Sequence, residues 1–246
     1  MKAKKKVLVC CNIAVILLIV ALIVAVIFLA IRKQKADLQD YYQMKCYSYS
    51  VQNTNLAKGQ IVFIGDSITD LYVLDEHYGS LQRACYNRGI GGDTTAGVLE
   101  RLQVSVFDLA PSTVVLMIGT NDVNGSQSQA DILNRYEQII RKIKATLPDV
   151  NLYCVSVIPQ NKQLETYSTI DVDHTTQVIL QLNPQIQQLA ESNGAVYVDL
   201  FPLLADSENF LLPEYSDDGI HLNKNGLDVW TAQLLPLLQA EEASIE

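Results

Sequence analysis

Residues 61–70 read IVFIGDSITD, and this stretch predicts where a buried strand of the fold ends and a helix begins. Residues 61–64 form an uninterrupted apolar run, which is typical of a strand that is covered on both faces. Gly65, Asp66 and Ser67 follow without a gap. Two interpretations of these three residues are open at this point: an ordinary turn, or a serine nucleophile held at the N-terminus of a helix.

The alternation of short apolar runs with longer amphipathic segments continues towards the C-terminus. Apolar runs that predict strands lie at residues 61–64, 84–87, 113–118, 151–158 and 195–199. Segments that predict helices lie at residues 94–107, 129–146, 176–192 and 223–238. Pro184 is expected to delay or kink the third helix. Strands that alternate with helices form βαβ units, so the sequence predicts an α/β fold with one parallel sheet covered on both sides.

The N-terminal part of the chain has a different character. Residues 7–31 are apolar except for Asn12, and a helix of this length exceeds the ~30 Å hydrocarbon core of a bilayer. The run is longer than the ~7–15 apolar residues of a signal peptide and has no Ala-x-Ala at its end, so we predict a retained transmembrane anchor. Lysines at positions 2, 4, 5 and 6 precede it, which favours a single-pass protein of the cell membrane, with its N-terminus inside and its main domain extracytoplasmic.

These features predict five segments along the chain. They are a short cytoplasmic tail at 1–6, the anchor at 7–31, a stalk or connecting helix at 32–59, the main domain at 60–240 and a C-terminal tail at 241–246. Residues 1–35 hold seven of the 18 basic residues and no acidic ones, which leaves 11 basic against 27 acidic residues, a net charge of −16. Such a charge repels phosphate backbones and disfavours nucleic acid as a partner.

The five cysteines do not form a motif. They lie at positions 10, 11, 46, 85 and 154, with no CxxC pair and no spacing typical of a metal site. We therefore interpret Cys46, Cys85 and Cys154 as small buried apolar residues rather than as a disulfide framework. Nothing in the sequence indicates a metal ion or an organic cofactor, and the oligomeric state is not predicted.

Small and polar residues follow several of the predicted strands. In open parallel sheets, ligands bind beyond the C-terminal ends of the strands. The clusters are GDS at 65–67, NRGIGGDT at 87–94, GTND at 119–122 and, after the fifth strand, DDGIHLN at 217–223. Each cluster alone also fits a turn or a helix cap. Together, at one edge of the sheet, they predict one site.

A serine in this position needs a base, because its hydroxyl is a weak nucleophile. The chain has three histidines, and His221 alone has a carboxylate three positions before it, in Asp218. That spacing allows Asp218 to bind Nδ1 and leaves Nε2 to accept the proton of Ser67. Asp217 is an alternative partner by adjacency. His77 and His174 lie in polar helical segments, where a solvated role is expected.

The same clusters contain groups that can stabilise an oxyanion. The backbone N–H of Ser67 at the start of a helix is one expected donor, and the N–H of Gly92 is a second, because a glycine lets the backbone approach a substrate closely. The side-chain amide of Asn121 is the third. The nucleophile-elbow motif G-x-S-x-G is absent, so the chain does not fit an ordinary α/β-hydrolase.

Taken in order, the motifs GDS, NRGIGGDTT, GTND and DGIHLN resemble the four blocks of the SGNH/GDSL hydrolase family of serine esterases and lipases. The stretch GIGGDTTAGVLERL is most similar to the branch of platelet-activating-factor acetylhydrolase-like esterases. The resemblance covers about residues 60–238. It implies a flavodoxin-like, three-layer α/β/α fold with strand order 2-1-3-4-5. It also implies Ser67 as nucleophile, His221 as base, Asp218 as its partner, and Gly92 and Asn121 as oxyanion donors.

The resulting hypothesis is a membrane-anchored, extracytoplasmic serine esterase that removes short acyl groups, acetyl above all, through an acyl-enzyme. Three alternatives stay open: an O-acyltransferase that moves acyl groups to or from cell-wall glycan, a lysophospholipase-type lipid esterase, and a glycan-binding module without catalysis. The substrate is a small-molecule, glycan or lipid acyl ester. Residues 160–175 and 201–217 are expected to line the pocket. Their apolar members are Leu164, Tyr167, Phe210, Leu211, Leu212 and Tyr215.

Overall fold

The computed structural model describes residues 2–166 and 168–244, and the side chains from residue 16 onward. The predicted tails at 1–6 and 241–246 extend beyond this range at residues 1, 245 and 246, and Tyr167 also lies outside the described residues. The chain divides into two compact units, Met1–Met44 and Lys45–Glu246.

A five-stranded parallel sheet forms the centre of the second unit. Its strands are β1 (Ile61–Gly65), β2 (Cys85–Gly89), β3 (Thr113–Met117), β4 (Asn151–Val155) and β5 (Val196–Val198). Their spatial order is β2-β1-β3-β4-β5, and every pair is parallel. The α/β class and the strand order 2-1-3-4-5 are therefore confirmed. All five residues of β1 and of β3 are buried, as their apolar sequences predict.

Helices precede, connect and follow these strands. They are α1 (Lys2–Asn53), α2 (Ser67–Asp70), α3 (Leu74–Tyr78), α4 (Thr95–Glu100), α5 (Leu102–Ser105), α6 (Thr120–Asn124), α7 (Gln129–Thr146), α8 (Val172–Ser192), α9 (Phe201–Leu204) and α10 (Lys224–Ala243). Short 3₁₀ helices lie at Phe107–Leu109, Lys162–Thr166 and Pro213–Tyr215. The predicted helix at 129–146 coincides with α7, whose N-cap Ser128 accepts a hydrogen bond from the N–H of Asp131.

The side chains of each strand alternate between two apolar cores, one on each face of the sheet. Val62 and Ile64 of β1 pack with apolar residues of α4, α5, α7 and α8. Ile61 and Phe63 point to the opposite face and pack with residues of α3 and α10, including the fully buried Trp230. Successive residues of a strand face opposite sides, so a continuous apolar run supplies both cores. The result is the predicted three-layer α/β/α arrangement.

Two helix predictions need correction. The helix expected over 94–107 is divided into α4 and α5, and the break is at Arg101, whose buried side chain is drawn to Asp93. The helix expected from about residue 176 begins at Val172 and runs through Pro184 without a division. It begins early because the side chain of Asp171 accepts a hydrogen bond from the N–H of His174 and caps it.

One N-terminal helix, α1, contains the apolar run. The part of α1 whose side chains are described, Ile16–Asn53, is long and apolar enough to cross a membrane. This length and composition fit both an anchor and a signal sequence. The compact unit that contains the sheet begins at Lys45. It includes the last turns of α1, where Tyr49 and Asn53 are buried.

Candidate active site

Ser67 is the first residue of α2, two positions after Gly65, the last residue of β1. Asp66 separates the two elements, and its carboxylate Oδ1 accepts a hydrogen bond of 3.0 Å from the N–H of Ile68. This N-cap ends the strand and starts the helix within one residue. The side chain of Ser67 is consequently held at the C-terminal edge of the sheet, at the N-terminus of a helix.

His221 reaches Ser67 across 154 positions of sequence. Its Nε2 lies 2.8 Å from Ser67 Oγ, and its Nδ1 lies 2.6 Å from Asp218 Oδ2. Both distances are those of good hydrogen bonds. With a proton on Nδ1, Nε2 is an acceptor aimed at the hydroxyl of Ser67. The structure therefore brings the predicted serine, histidine and aspartate together in one hydrogen-bonded row.

Asp218 is held by its own loop. Its Oδ1 accepts the N–H groups of Ile220 at 2.9 Å and of His221 at 2.8 Å, while Oδ2 binds the imidazole. Burial alone would raise the pKa of Asp218, but the hydrogen bonds from the His221 side chain and from these N–H groups outweigh it and lower the pKa. The carboxylate is therefore ionised beside the imidazole at neutral pH.

The alternatives considered from sequence lie elsewhere. Asp217 Oδ1 accepts a hydrogen bond of 3.3 Å from the amide of Asn223. His77 Nδ1 lies 3.0 Å from Thr231 Oγ1 and 3.5 Å from the carboxylate of Asp228. His174 lies in the first turn of α8. His221 is therefore the histidine that the fold brings to Ser67.

Two of the three predicted oxyanion donors, Gly92 and Asn121, follow β2 and β3, the strands on either side of β1. Gly92 follows β2 and has a φ of +77°, a left-handed conformation that favours glycine. Asn121 lies in α6, after β3, and its Nδ2 donates a hydrogen bond of 2.9 Å to the carbonyl oxygen of Asp93. An amide nitrogen carries two hydrogens, so this bond orients Asn121 and leaves a second donor. Gly92 and Asn121 are thus joined through the residue that follows Gly92.

A buried arginine, Arg101, ties the ends of β1 and β2 together. Its Nε donates 2.7 Å to the Asp93 carboxylate, and its two terminal nitrogens donate to the carbonyl oxygens of Arg88 at 2.7 Å and of Gly65 at 2.9 Å. Sequence reasoning missed this residue. The available signal was its position three residues after Val98, on the apolar face of the predicted helix.

Besides Asp93, the carboxylate of Asp122 is also buried. Asp122 lies in α6, the helix that follows β3. It accepts hydrogen bonds from the N–H of Thr95 at 2.8 Å and from the Thr95 hydroxyl at 2.6 Å. Arg135 of α7 lies 3.3 Å from the same carboxylate. Asp122 therefore joins α6, which carries Asn121, to the start of α4.

The environment of Asp66 differs from that of the other site carboxylates. Burial raises the pKa of Asp66 to about 7, with a further contribution from the charges of Asp93 and Asp122, although the N–H of Ile68 opposes the rise. Its Oδ2 has no hydrogen-bond partner among the described residues. Asp66 therefore caps the helix that Ser67 begins, and its side chain is fully buried.

The segments predicted to line the pocket meet the loop of Asp218 and His221. The N–H of Asn161 donates 2.8 Å to the carbonyl oxygen of Gly219, and the backbone of Leu164 lies against the same glycine. Leu211 corrects one part of the prediction, because it is fully buried in the core rather than in the pocket. Phe210 and Leu212 are partly exposed beside it.

Comparison with known proteins identifies a family for this chain. Residues 63–229 match the model of the GDSL-like Lipase/Acylhydrolase family. Platelet-activating factor acetylhydrolase IB subunit alpha2 of Homo sapiens is 26% identical over 144 residues, which cover 56% of this chain and 62% of that protein. The chain thus matches less than two thirds of the length of these curated relatives.

Two solved structures are similar over most of the chain. A Streptococcus pneumonia protein described under the name of platelet activating factor has a TM-score of 0.79 and 28% identity, covering 85% of this chain and 98% of its own. A GDSL-like lipase from Bacteroides thetaiotaomicron has a TM-score of 0.71 and 25% identity, covering 80% and 98%. Because the family model matches more than half of the chain, the chain belongs to the GDSL-like lipase/acylhydrolase family.

Proposed function

We propose that the protein is a membrane-anchored serine esterase that removes short acyl groups, with Ser67 as nucleophile, His221 as base and Asp218 as the partner of the base. The observation that carries this proposal is the row of hydrogen bonds from Ser67 Oγ to His221 Nε2 and from His221 Nδ1 to Asp218. Each group needed for nucleophilic acyl transfer has a residue in reach.

The first half of the reaction forms an acyl-enzyme. As Ser67 Oγ attacks the carbonyl carbon of the ester, its proton passes to His221 Nε2 and the carbonyl electron pair moves onto oxygen. The N–H groups of Ser67 and Gly92 and the amide of Asn121 bind that oxyanion. When the intermediate collapses, the bond to the leaving oxygen breaks, and the leaving alcohol takes the proton from His221.

The second half repeats these steps with water. Water gives a proton to His221 Nε2 and attacks the acyl carbon, and the collapse of the second intermediate returns the proton to Ser67 Oγ. Asp218 stays ionised throughout and stabilises the imidazolium that forms twice in each cycle, because its lowered pKa keeps the negative charge in place.

The acetyl group is the proposed acyl group. The support for a short chain is that the curated relatives carry the name of an acetylhydrolase.

The proposed location is the cell membrane, with the N-terminus inside and the hydrolase unit outside. The support is the apolar helix at the N-terminus and the four lysines before it. Protease added to intact cells should then digest the hydrolase unit. Resistance that disappears when the cells are lysed would contradict this orientation.

Ser67→Ala tests the assignment of the nucleophile. The variant should lose release of p-nitrophenol from its acetate ester and labelling by a fluorophosphonate probe, while its melting temperature stays unchanged. Ser80→Ala, at an exposed serine, is the matched control and should keep both activities. Activity retained in Ser67→Ala would refute the assignment. A wild-type enzyme that is active but whose Ser67 is never labelled by the fluorophosphonate would refute the acyl-enzyme route.

Two further measurements separate the proposed esterase from its alternatives. Product analysis with an added acceptor alcohol distinguishes free acid, which a hydrolase makes, from a new ester, which an acyltransferase makes. A series of nitrophenyl esters should show the highest kcat/KM at acetate. A maximum at long chains would favour a lipid esterase instead.

A further inference from the structure

The last turns of α1 present one polar face to the hydrolase unit to which they belong. Lys45, Tyr49 and Asn53 follow one another at intervals of four residues, so they lie on one side of the helix. Tyr49 and Asn53 are buried, whereas Tyr47, on another side, is 72% exposed. The sequence had indicated a stalk here, so this burial requires an explanation.

Tyr49 binds the end of β2, from which the chain continues into residues 89–93. We call these residues the oxyanion loop, because they include the proposed oxyanion donor Gly92. The hydroxyl of Tyr49 donates a hydrogen bond to the carbonyl oxygen of Gly89, the last residue of β2. The guanidinium of Arg88 lies 4.6 Å from the centre of the Tyr49 ring, a distance typical of a cation–π contact. Tyr49 is therefore in contact with Arg88 and Gly89, the last two residues of β2. Gly89 lies three positions before Gly92.

Lys45 is linked to both sides of the site through Asp70. Its Nζ lies 2.6 Å from Asp70 Oδ1, and Asp70 Oδ2 accepts a hydrogen bond of 3.2 Å from the N–H of Gly91. Asp70 is the last residue of α2, the helix that Ser67 begins. One carboxylate thus joins the helix of the nucleophile, the loop of Gly91 and Gly92, and the lysine of α1.

Asn53 completes the contact one turn further on. Its Oδ1 accepts a hydrogen bond of 3.0 Å from Arg88 Nη2, and its Nδ2 donates 2.7 Å to the carbonyl oxygen of Val104. Arg88 is therefore held from two sides, by the ring of Tyr49 and by the amide of Asn53. These bonds are buried or partly buried, where an unsatisfied partner is costly.

The oxyanion loop has few means of holding itself in place. Gly89, Gly91 and Gly92 have no side chains to pack, and glycine loses more conformational freedom on ordering than other residues. A side chain at position 89 is excluded, because a Cβ there would come within 2.1 Å of the backbone nitrogen of Asp70. Bonds to the backbone must therefore supply the order. α1 supplies one of them directly, from Tyr49 to Gly89, and supports a second through Asp70, which binds the N–H of Gly91.

We propose that Lys45, Tyr49 and Asn53 form a positioning segment that holds the oxyanion loop at the distance from Ser67 that acyl transfer requires. The segment acts through Gly89, Asp70 and Arg88 and touches no substrate. This inference rests on the proposed role of Ser67 and Gly92. It makes the end of α1 a part of the catalytic unit rather than a spacer.

Tyr49→Phe in the full-length protein is the sharpest test, because it removes one hydroxyl and keeps the ring. We expect kcat for p-nitrophenyl acetate to fall about tenfold, since small displacements of catalytic groups cost up to about 100-fold, with KM changed less than about twofold. Labelling by the fluorophosphonate should slow in parallel, because its tetrahedral adduct also needs the oxyanion donors. Tyr47→Phe is the matched control and should behave as wild type.

Lys45 provides an independent second test. Lys45→Met should lower kcat. Lys45→Arg should keep kcat close to the wild-type value, because the guanidinium can also bind Asp70. Lys58→Met removes an exposed lysine and is the control. Unchanged kcat in both Tyr49→Phe and Lys45→Met would overturn the proposal while Ser67→Ala remains inactive. Loss of kcat that merely follows a loss of folded protein in thermal melts would overturn it as well. Activity in Ser67→Ala would instead refute the proposed function.

Discussion

Two aspartates flank Ser67, and their surroundings are opposite. Asp218 is 48% exposed in its side chain and binds an imidazole and two backbone N–H groups. Asp66 is fully buried, and one of its oxygens has no hydrogen-bond partner among the described residues. The pKa of Asp218 is lowered, whereas burial raises that of Asp66 to about 7. The carboxylate that is proposed to act as the partner of His221 is partly exposed to solvent, and the one that caps a helix is buried.

The buried side of the site contains a further pair that sharpens this difference. Arg101 and Asp93 have side-chain exposures of 1% and 3%, and their charges meet at 2.7 Å. Arg101 also donates hydrogen bonds to the carbonyl oxygens of Gly65 and Arg88, so the pair holds the ends of β1 and β2. In the proposed mechanism one side of Ser67 exchanges protons, whereas the buried pair on the other side holds the strand ends in place. Changes on the first side should affect the rate, and changes on the second should affect stability.

The largest expected effect is on the rate, in His221→Ala. Loss of the base should lower kcat by about 10⁴–10⁶-fold, as removal of a triad histidine does elsewhere. The free energy of unfolding should change by less than about 1 kcal/mol, because the side chain is partly exposed. Ester hydrolysis and urea unfolding measure the two quantities. His174→Ala should change neither, and a fall of similar size there would contradict the assignment.

A smaller loss of rate is expected in Asp218→Asn. The amide keeps the shape but favours the wrong tautomer of His221, which should lower kcat by about 10³–10⁴-fold. Initial rates with p-nitrophenyl acetate measure it. Asp217→Asn is the matched control, because Asp217 binds Asn223 rather than the imidazole. Equal losses in the two variants would refute the pairing of Asp218 with His221.

On the buried side, Arg101→Met should affect folding. Removing one partner of a buried ion pair leaves Asp93 charged and unpaired, which costs about 3–5 kcal/mol of the free energy of unfolding. Arg141→Met breaks an exposed pair with Glu137 and should cost less than about 1 kcal/mol. Urea unfolding compares the two. A loss in Arg101→Met no larger than in its control would show that the buried pair is dispensable.

The smallest expected effect is the pH dependence that Asp66 imposes on stability. Because its pKa is raised from 3.8 to about 7, the folded protein holds a proton there that the unfolded chain releases, so stability falls as pH rises through that window. At 1.36 kcal/mol per unit, the fall is at most about 4 kcal/mol. Asp66→Asn keeps the cap and should remove this fall. Asp218 acts oppositely, since its lowered pKa means that stability is lost only as pH falls below its ordinary value.

Urea unfolding at pH 5 and pH 8 measures this difference. Wild type should be less stable at pH 8 than at pH 5, and Asp66→Asn should narrow the gap. Asp218→Asn should leave the gap as it is, because both pH values lie above the range in which Asp218 titrates. A gap that persists unchanged in Asp66→Asn would show that Asp66 is ionised throughout.

The parts that sequence predicted are those with a local signature. The strands carry continuous apolar runs, and the topological rule for parallel sheets places their C-terminal ends together, which is sufficient to bring Ser67, Gly92 and Asn121 to one edge. The spacing of three between Asp218 and His221 has a geometric meaning within one loop. Resemblance to the SGNH/GDSL family supplied the strand order, which is confirmed.

The parts that sequence missed depend on contacts between distant residues. Arg101 lies on an apolar helix face, and nothing near it indicates that its partners are the carbonyl oxygens of Gly65 and Arg88. Tyr49 lies in a polar segment that resembles a connector, and its partner Gly89 is 40 positions away. Such side chains are polar by composition and buried by topology, so an argument from residue polarity alone assigns them to the surface.

The separation of Ser67 and His221 also has a consequence for how the protein is made. Their hydrogen bond joins positions 154 residues apart, and all five strands lie before His221 in the chain. A ribosome releases Ser67 well before His221, and domains fold as units during or after synthesis. A nascent chain therefore lacks the base proposed for Ser67 until all five strands have been synthesised. Recovery of esterase activity during refolding consequently reports the closure of the whole domain, and not of any one part of it.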